Sequence, residues 1–195
     1  MSSAGAPEWS SAQRTAPGEQ TLAAVLVPLL VSAPSEPPHV VLTRRRADLR
    51  RHAGEISFPG GRRDPGDADL SATALREAHE EIGLAPNAVE LIGELPAIST
   101  FATNYLIHPF VGLIEPGQQW EVSPREVDVV LELPLGAVQQ SKTRAEIERR
   151  GVKFEVDAYV LDGNLIWGAT FRILADLFER LRQDGPDGRP ALAGS

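Results

Sequence analysis

Apolar residues along this chain recur with two different periods. Leu22 to Val31 (LAAVLVPLLV) is a near-continuous apolar run carrying β-branched residues. It is short for a core helix and contains Pro28, so it predicts a buried strand. The segment 32–38 (SAPSEPP) is a turn-rich connection, and Pro38 marks the start of a second strand, His39 to Thr43. Gly54 to Phe58 alternates and runs into the glycine turn Phe58-Pro59-Gly60-Gly61. The period then changes. Ala74, Leu75, Ala78 and Ile82 share one helical face that can meet a core. Asp69 or Ser71 can cap this helix, and Gly83 and Pro86 stop it.

Further along, Val89 to Leu95 and Leu106 to Ile114 read as strands separated by a polar loop (STFATN), and Val127 to Leu133 as another, closed by Pro134. Residues 136–151 are polar and charged, with a helix expected over Arg144 to Arg150. Phe154 to Val160 and Leu165 to Trp167 predict a hairpin around Asp162-Gly163-Asn164. Thr170 to Leu181 is amphipathic, with Phe171, Leu174, Leu177, Phe178 and Leu181 on one side. Mixed strands with two main helices predict an α/β fold with helices on both sides of a sheet system. Residues 1–20 and 183–195 read as flexible tails around one domain, 21–182.

Composition narrows the function classes. A length of 195 residues with 42% hydrophobic content suits one globular domain. A net charge of −8 argues against broad nucleic-acid or membrane-surface binding. Only Lys142 and Lys153 are lysine, so nearly all positive charge is arginine. The absence of cysteine excludes disulfides, thiolate catalysis and cysteine-based zinc sites. No apolar run is long enough to span a bilayer, and the start lacks a signal-peptide pattern, so a cytoplasmic location is expected.

The chemistry concentrates after the glycine turn. Offsets of three and four residues return to nearly the same side of a helix, so Glu77, Glu80 and Glu81 share a face. Such a cluster is often a solvated helix surface. Because like charges repel, it also asks for nearby cations: a divalent metal, Arg76, which can reach Glu80 across one turn, or both.

Arg76-Glu77-Ala78-His79-Glu80-Glu81-Ile82-Gly83-Leu84 resembles the end of the Nudix box, G-x5-E-x7-R-E-U-x-E-E-x-G-U, with U aliphatic. Gly61 to Arg76 is one residue longer than that spacing. Counting from Gly61 puts Asp67 at the first acidic position; counting back from Arg76 puts Ala68 there. That acid is usually structural in the family. The resemblance implies an α/β/α sandwich with a mixed β-sheet, and hydrolysis of a nucleoside diphosphate linked to some other group. It implies Mg²⁺ or Mn²⁺ bound by Glu77, by Glu81, by Glu80 directly or through water, and by the Gly60 carbonyl, with Arg76 orienting the glutamates. For the proton acceptor it leaves open Glu80, the first candidate, and Glu126 from a later segment, which can equally be a surface residue.

Leu42-Thr43-Arg44-Arg45-Arg46, Arg50, Gly54 and Phe58-Pro59-Gly60-Gly61 resemble the coenzyme A signature of that family, L-L-T-x-R-(S/A)-x3-R-x3-G-x3-F-P-G-G. Val41 replaces the first leucine, and Arg46 takes the Ser/Ala place. By composition alone Thr43 to Arg51 is a solvated basic loop. Within the resemblance, Arg45 and Arg50 contact the diphosphate or the 3′-phosphate of a CoA-like nucleotide, beside Gly60 and Gly61; the competing reading pairs one of them with Asp48 or Glu55. Ile166-Trp167-Gly168-Ala169-Thr170-Phe171-Arg172-Ile173-Leu174 is similar to a segment of CoA-type members, and His108-Pro109-Phe110-Val111-Gly112 to another. A Ser-Gly pair common in the preceding loop is replaced by Thr103-Asn104. Trp167 is expected in the core, and His52, His79 and His108 as structural or surface residues.

The activity implied is cleavage of CoA or its derivatives to 3′,5′-ADP and 4′-phosphopantetheine. The alternatives are ADP-ribose or another nucleoside diphosphate derivative, and a non-catalytic nucleotide sensor. A homodimer is left open.

Overall fold

The computed structural model describes residues 20–32, 36–46, 54–100, 104–149 and 151–183. The elements in chain order are β1 (Thr21–Leu30), β2 (His39–Arg45), β3 (Ile56–Ser57), β4 (Gly60–Arg62), α1 (Leu70–Ile82), β5 (Glu90–Glu94), β6 (Ile98–Thr100) and β7 (Tyr105–Ile114). Then come β8 (Val127–Pro134), α2 (Leu135–Gln140), β9 (Lys142–Arg149), β10 (Val152–Leu161), β11 (Asn164–Trp167) and α3 (Gly168–Gln183). The proposed tails, apart from Gln20 and Gln183, lie outside the described residues.

The main sheet runs β3-β2-β1-β7-β5, with β4 added to β1, β6 to β7 and β8 to β2. It is mixed: β1 and β7 are parallel from Thr21 opposite Tyr105 to Leu30 opposite Ile114, and the other pairs are antiparallel. β1 is the spine. Its even residues Ala24, Leu26 and Leu30 pack against Ala74, Ala78 and Ile82 of α1. Its odd residues Val27 and Leu29 join Val40, Leu42, Val138, Tyr159, Leu174, Leu177 and Phe178 on the opposite face, where α2, β10 and α3 lie. Burial on both faces explains why this strand reads as a continuous apolar run. The result is the expected α/β/α sandwich with a mixed sheet. Pro28 is tolerated inside it because it falls between two antiparallel partners: β4 pairs with Ala23 to Val25, and β2 begins at Leu29.

The second sheet, β11-β10-β9, corrects one expectation. Arg144 to Arg149 is strand, with Ala145 opposite Val156 and Ile147 opposite Phe154. The segment alternates with period two, and its charges find partners across the hairpin: Lys153 Nζ lies 2.8 Å from Glu146 and Arg144 3.3 Å from Glu155. Those pairs need a neighbouring strand, which a reading by local helix propensity ignores. The β10–β11 hairpin forms as expected. Leu161 pairs with Asn164, and Asp162 and Gly163 both take the left-handed conformation at φ 51° and 76°.

Leu26 is fully buried between β1 and α1. Leu26→Ala is expected to lower unfolding free energy by about 2–5 kcal/mol. Urea denaturation measures this, and an unchanged midpoint would contradict the packing described.

Candidate active site

Helix α1 is held at both ends. Asp69 caps its start, its carboxylate accepting from the Ala72 amide at 2.8 Å, with Ser71 donating to that same carboxylate oxygen. Gly83 ends it in the left-handed conformation at φ 73°. The segment between β7 and β8 docks beneath that end. The Glu121 amide donates to the Ile82 carbonyl at 3.1 Å, and the Ser123 amide to the Glu81 carbonyl at 2.8 Å. A side chain on Gly83 would meet the Glu121 Cβ at 2.8 Å, so glycine is required twice over.

The three glutamates share a face and differ in depth. Glu80 is 57% exposed, Glu77 is mostly covered, and Glu81 is 5% exposed. The glycine turn makes this depth accessible to backbone. The Gly60 amide donates to Glu81 Oε2 at 3.3 Å. A Cβ on Gly61 would lie 2.5 Å from Glu77 Oε1, and one on Gly60 2.4 Å from the Ala24 carbonyl oxygen. β4, seen in the sequence only as a turn, is therefore a short strand pressed between β1 and α1.

Arg76 settles which residue fills the first acidic position. Its Nε donates to Asp67 Oδ1 at 2.9 Å and its Nη2 to Asp67 Oδ2 at 3.1 Å. Asp67, only 6% exposed, also accepts from the Asp64 amide at 2.9 Å and the Thr73 hydroxyl at 2.8 Å. The Asp67–Arg76 pair favours the count from Gly61, which puts the additional residue between Asp67 and Arg76. Arg76 Nη1 reaches Glu77 and Glu80, each at 3.1 Å, so one guanidinium links Asp67 to both glutamates.

Arg45 stands between two carboxylates, 3.5 Å from Glu81 and 3.8 Å from Glu126. Its backbone amide also donates to the Glu55 carbonyl at 3.0 Å. Glu126, named from sequence as an outsider, is thereby placed beside the cluster while 51% exposed. Arg46 accounts for its own departure from the signature. Its guanidinium donates to the Pro124 carbonyl and its amide to the Glu126 carbonyl at 3.1 Å, so it fastens the loop that carries Glu126. Arg50, Asp48, His52 and Thr103 lie outside the described residues. His79 is exposed, and His108 Nδ1 pairs with Glu94 at 2.7 Å, away from the cluster.

Electrostatics match a site built for added positive charge. Burial pushes the Glu81 carboxyl up to about 8 against the opposing pull of Arg45, and burial also raises Glu77. Among the described residues, no three histidine or acidic groups close into a finished metal cage. Guanidinium groups lie against the glutamates instead. All the donors are oxygens, and the acids are partly desolvated, which fits a hard divalent cation.

Next to the glycine turn lies a cleft of about 510 Å³. Arg45, Phe58, Gly60, Gly61 and Arg62 line it from one stretch of chain, and Trp167, Gly168, Thr170 and Arg172 from another. The Thr170 hydroxyl donates to the Ile56 carbonyl at 3.0 Å and ties the two stretches together. Trp167 thus corrects a second expectation: it is half-buried and lines the cleft, while its neighbour Ile166 fills the core. Arg62, Tyr105 and Ser99 were not singled out in the sequence. Arg62 directly follows Gly61, whereas nothing local marks Tyr105 or Ser99.

Comparison with known proteins agrees with this geometry. A NUDIX domain model matches residues 21–153. The chain is 42% identical over 160 residues to the uncharacterized Nudix hydrolase NudL of Salmonella paratyphi B, covering 81% of each chain. The NUDIX domain of Shewanella oneidensis NrtR, solved with ADP ribose, superposes with a TM-score of 0.57 at 18% identity, covering 88% of this chain and 95% of that one. A MutT/nudix family protein from Enterococcus faecalis superposes with a TM-score of 0.58 at 14% identity, covering 85% of this chain and 63% of that one. No described helix is long and apolar enough to cross a membrane.

The Arg76 contact holds the Asp67 carboxyl well below the usual carboxylate range. A depressed folded-state pKa contributes stability above the unfolded value, near 4, that is lost as pH falls below it. Asp67→Asn should therefore unfold more easily at neutral pH and show a shallower loss of stability on acidification. Thermal unfolding from pH 7 to pH 2 reads both; parallel curves for the two proteins would refute the pair's role.

Proposed function

This chain belongs to the Nudix family, and we propose that it is a divalent-metal-dependent hydrolase of the diphosphate bond in coenzyme A or its derivatives. One observation carries the CoA reading. The two segments that resemble CoA-type members, Leu42 to Gly61 and Ile166 to Leu174, are far apart in sequence, yet residues of both line one cleft. That cleft opens beside the carboxylate helix. A shared ligand is a direct reason for both segments to carry their pattern.

Mg²⁺ or Mn²⁺, held by Glu77, Glu81, Glu80 and the Gly60 carbonyl, supplies charge neutralisation of the diphosphate and a lowered pKa for water. The chain's own groups do the rest. Gly60 and Gly61 let β4 lie directly against β1 and Glu77, which sets the carboxylates beside the cleft. Arg45 offers a planar guanidinium to phosphate oxygens, exchanging its contact with Glu126 for them. Glu126, so released, or Glu80 accepts the proton of the attacking water. Water adds at one phosphorus, the bond to the bridging oxygen breaks, and 3′,5′-ADP and 4′-phosphopantetheine leave. Arg76 keeps Glu77 and Glu80 oriented throughout.

A second reading keeps the chemistry and changes the substrate to ADP-ribose. Arg46 at the Ser/Ala position and Thr103-Asn104 in the place of the usual Ser-Gly pair favour it, as does the ADP ribose bound to the similarly folded NrtR domain.

Parallel assays with CoA, ADP-ribose, NADH and ATP, in Mg²⁺ or Mn²⁺, decide between them. CoA is expected to be cleaved fastest, with activity abolished by EDTA and restored by the metal; cleavage of ADP-ribose but not CoA would sink the assignment. Glu81→Gln should lower kcat/KM about a hundredfold or more, near 3 kcal/mol of transition-state stabilisation. Near-full activity in that variant would remove Glu81 from the site.

A further inference from the structure

The strand β4 divides the cleft. Gly61 turns toward Glu77. Successive residues of a strand face opposite ways, so Arg62 turns from α1 toward the other wall. There its Nε donates to the Tyr105 hydroxyl at 2.5 Å, and its Cζ lies 5.3 Å from the Tyr105 ring centroid. Arg172, on α3, reaches the same rim from the other side, its Nη1 donating to the Ser99 carbonyl at 3.3 Å. Ser99 and Tyr105 belong to one hairpin, with Ser99 opposite Leu106 and Thr100 opposite Tyr105. Two arginines from distant elements are thus fastened to one rim of the cleft.

Both hold neutral partners only. No carboxylate among the described residues lies within ion-pair distance of Arg62 or Arg172, and both are exposed, in a chain of net charge −8. Each guanidinium has five N–H donors and uses one of them in these contacts. Fixed arginines with unused donors and uncompensated charge, set in a cleft, suit a dianionic phosphate.

We infer that Arg62 and Arg172 form a second anion subsite, separate from the carboxylate cluster, that takes a phosphomonoester remote from the scissile diphosphate. This rests on the CoA reading above and deepens it, since the 3′-phosphate on the adenosine of CoA is such a group. ADP-ribose and dephospho-CoA have none.

The test compares CoA with dephospho-CoA for the full chain and for Arg62→Ala and Arg172→Ala. Either substitution is expected to lower the CoA to dephospho-CoA ratio of kcat/KM about tenfold or more, the scale of one lost charge-assisted contact. Arg172→Lys should recover part of the ratio. Equal losses on both substrates would assign these arginines to the diphosphate or to folding and overturn the subsite, as would an unchanged ratio. Calorimetric titration with 3′,5′-ADP and 5′-AMP separates this from the activity itself. Tighter binding of 3′,5′-ADP that disappears in Arg172→Ala supports the subsite even if CoA is not cleaved. Equal binding of the two nucleotides refutes it even if CoA is cleaved.

Discussion

A guanidinium group presents its donors in one plane, and Arg76 distributes them over Asp67, Glu77, Glu80 and the carbonyl of Arg62. These contacts join the loop before α1, the helix itself and β4. The glutamates lie close enough to repel one another, and burial deprives Glu77 and Glu81 of water. Without a cation anchored among them, the face they share would spread or take up protons. Arg76 holds that face open in the right shape, and Arg45 does the same for the deepest member, Glu81. The cluster depends on guanidinium groups before any ligand arrives.

The sheet explains why this helix sits where it does. β1 is apolar on both sides, so one layer must cover each face, and α1 covers one of them. This much was legible in the residues. The run from Leu22 to Val31, the periodic apolar face of α1 and that of α3 are local patterns, and each formed its element. β9 was not legible, because its charges are satisfied by partners on β10 rather than along its own chain. β4 was hidden for the opposite reason: glycine says turn, yet its missing side chain here lets backbone pack against Glu77.

The site shows the same division. Glu77, Glu80, Glu81 and Arg76 lie within six residues, so their spacing alone brings them together. Arg45 and Glu126 meet across the sheet and by way of the Arg46-fastened loop, a distance in sequence that no local pattern spans. Trp167 departs from the core position that its size and aromaticity favour. Its strand neighbour Ile166 has that position, and alternation turns the indole outward.

The stretch from Gly61 to Arg76 is one residue longer than the family pattern, and the loop in it keeps both of its anchors. Asp67 still reaches Arg76, and Asp69 still caps the helix. The loop is thus a length-tolerant joint, while the helix after it is not: an inserted residue between Glu77 and Glu80 would rotate the carboxylates by about 100° relative to one another. Family patterns with fixed gaps treat both regions alike. A search that lets this loop vary by a residue, and keeps the helical spacing strict, would find chains that rigid patterns pass over.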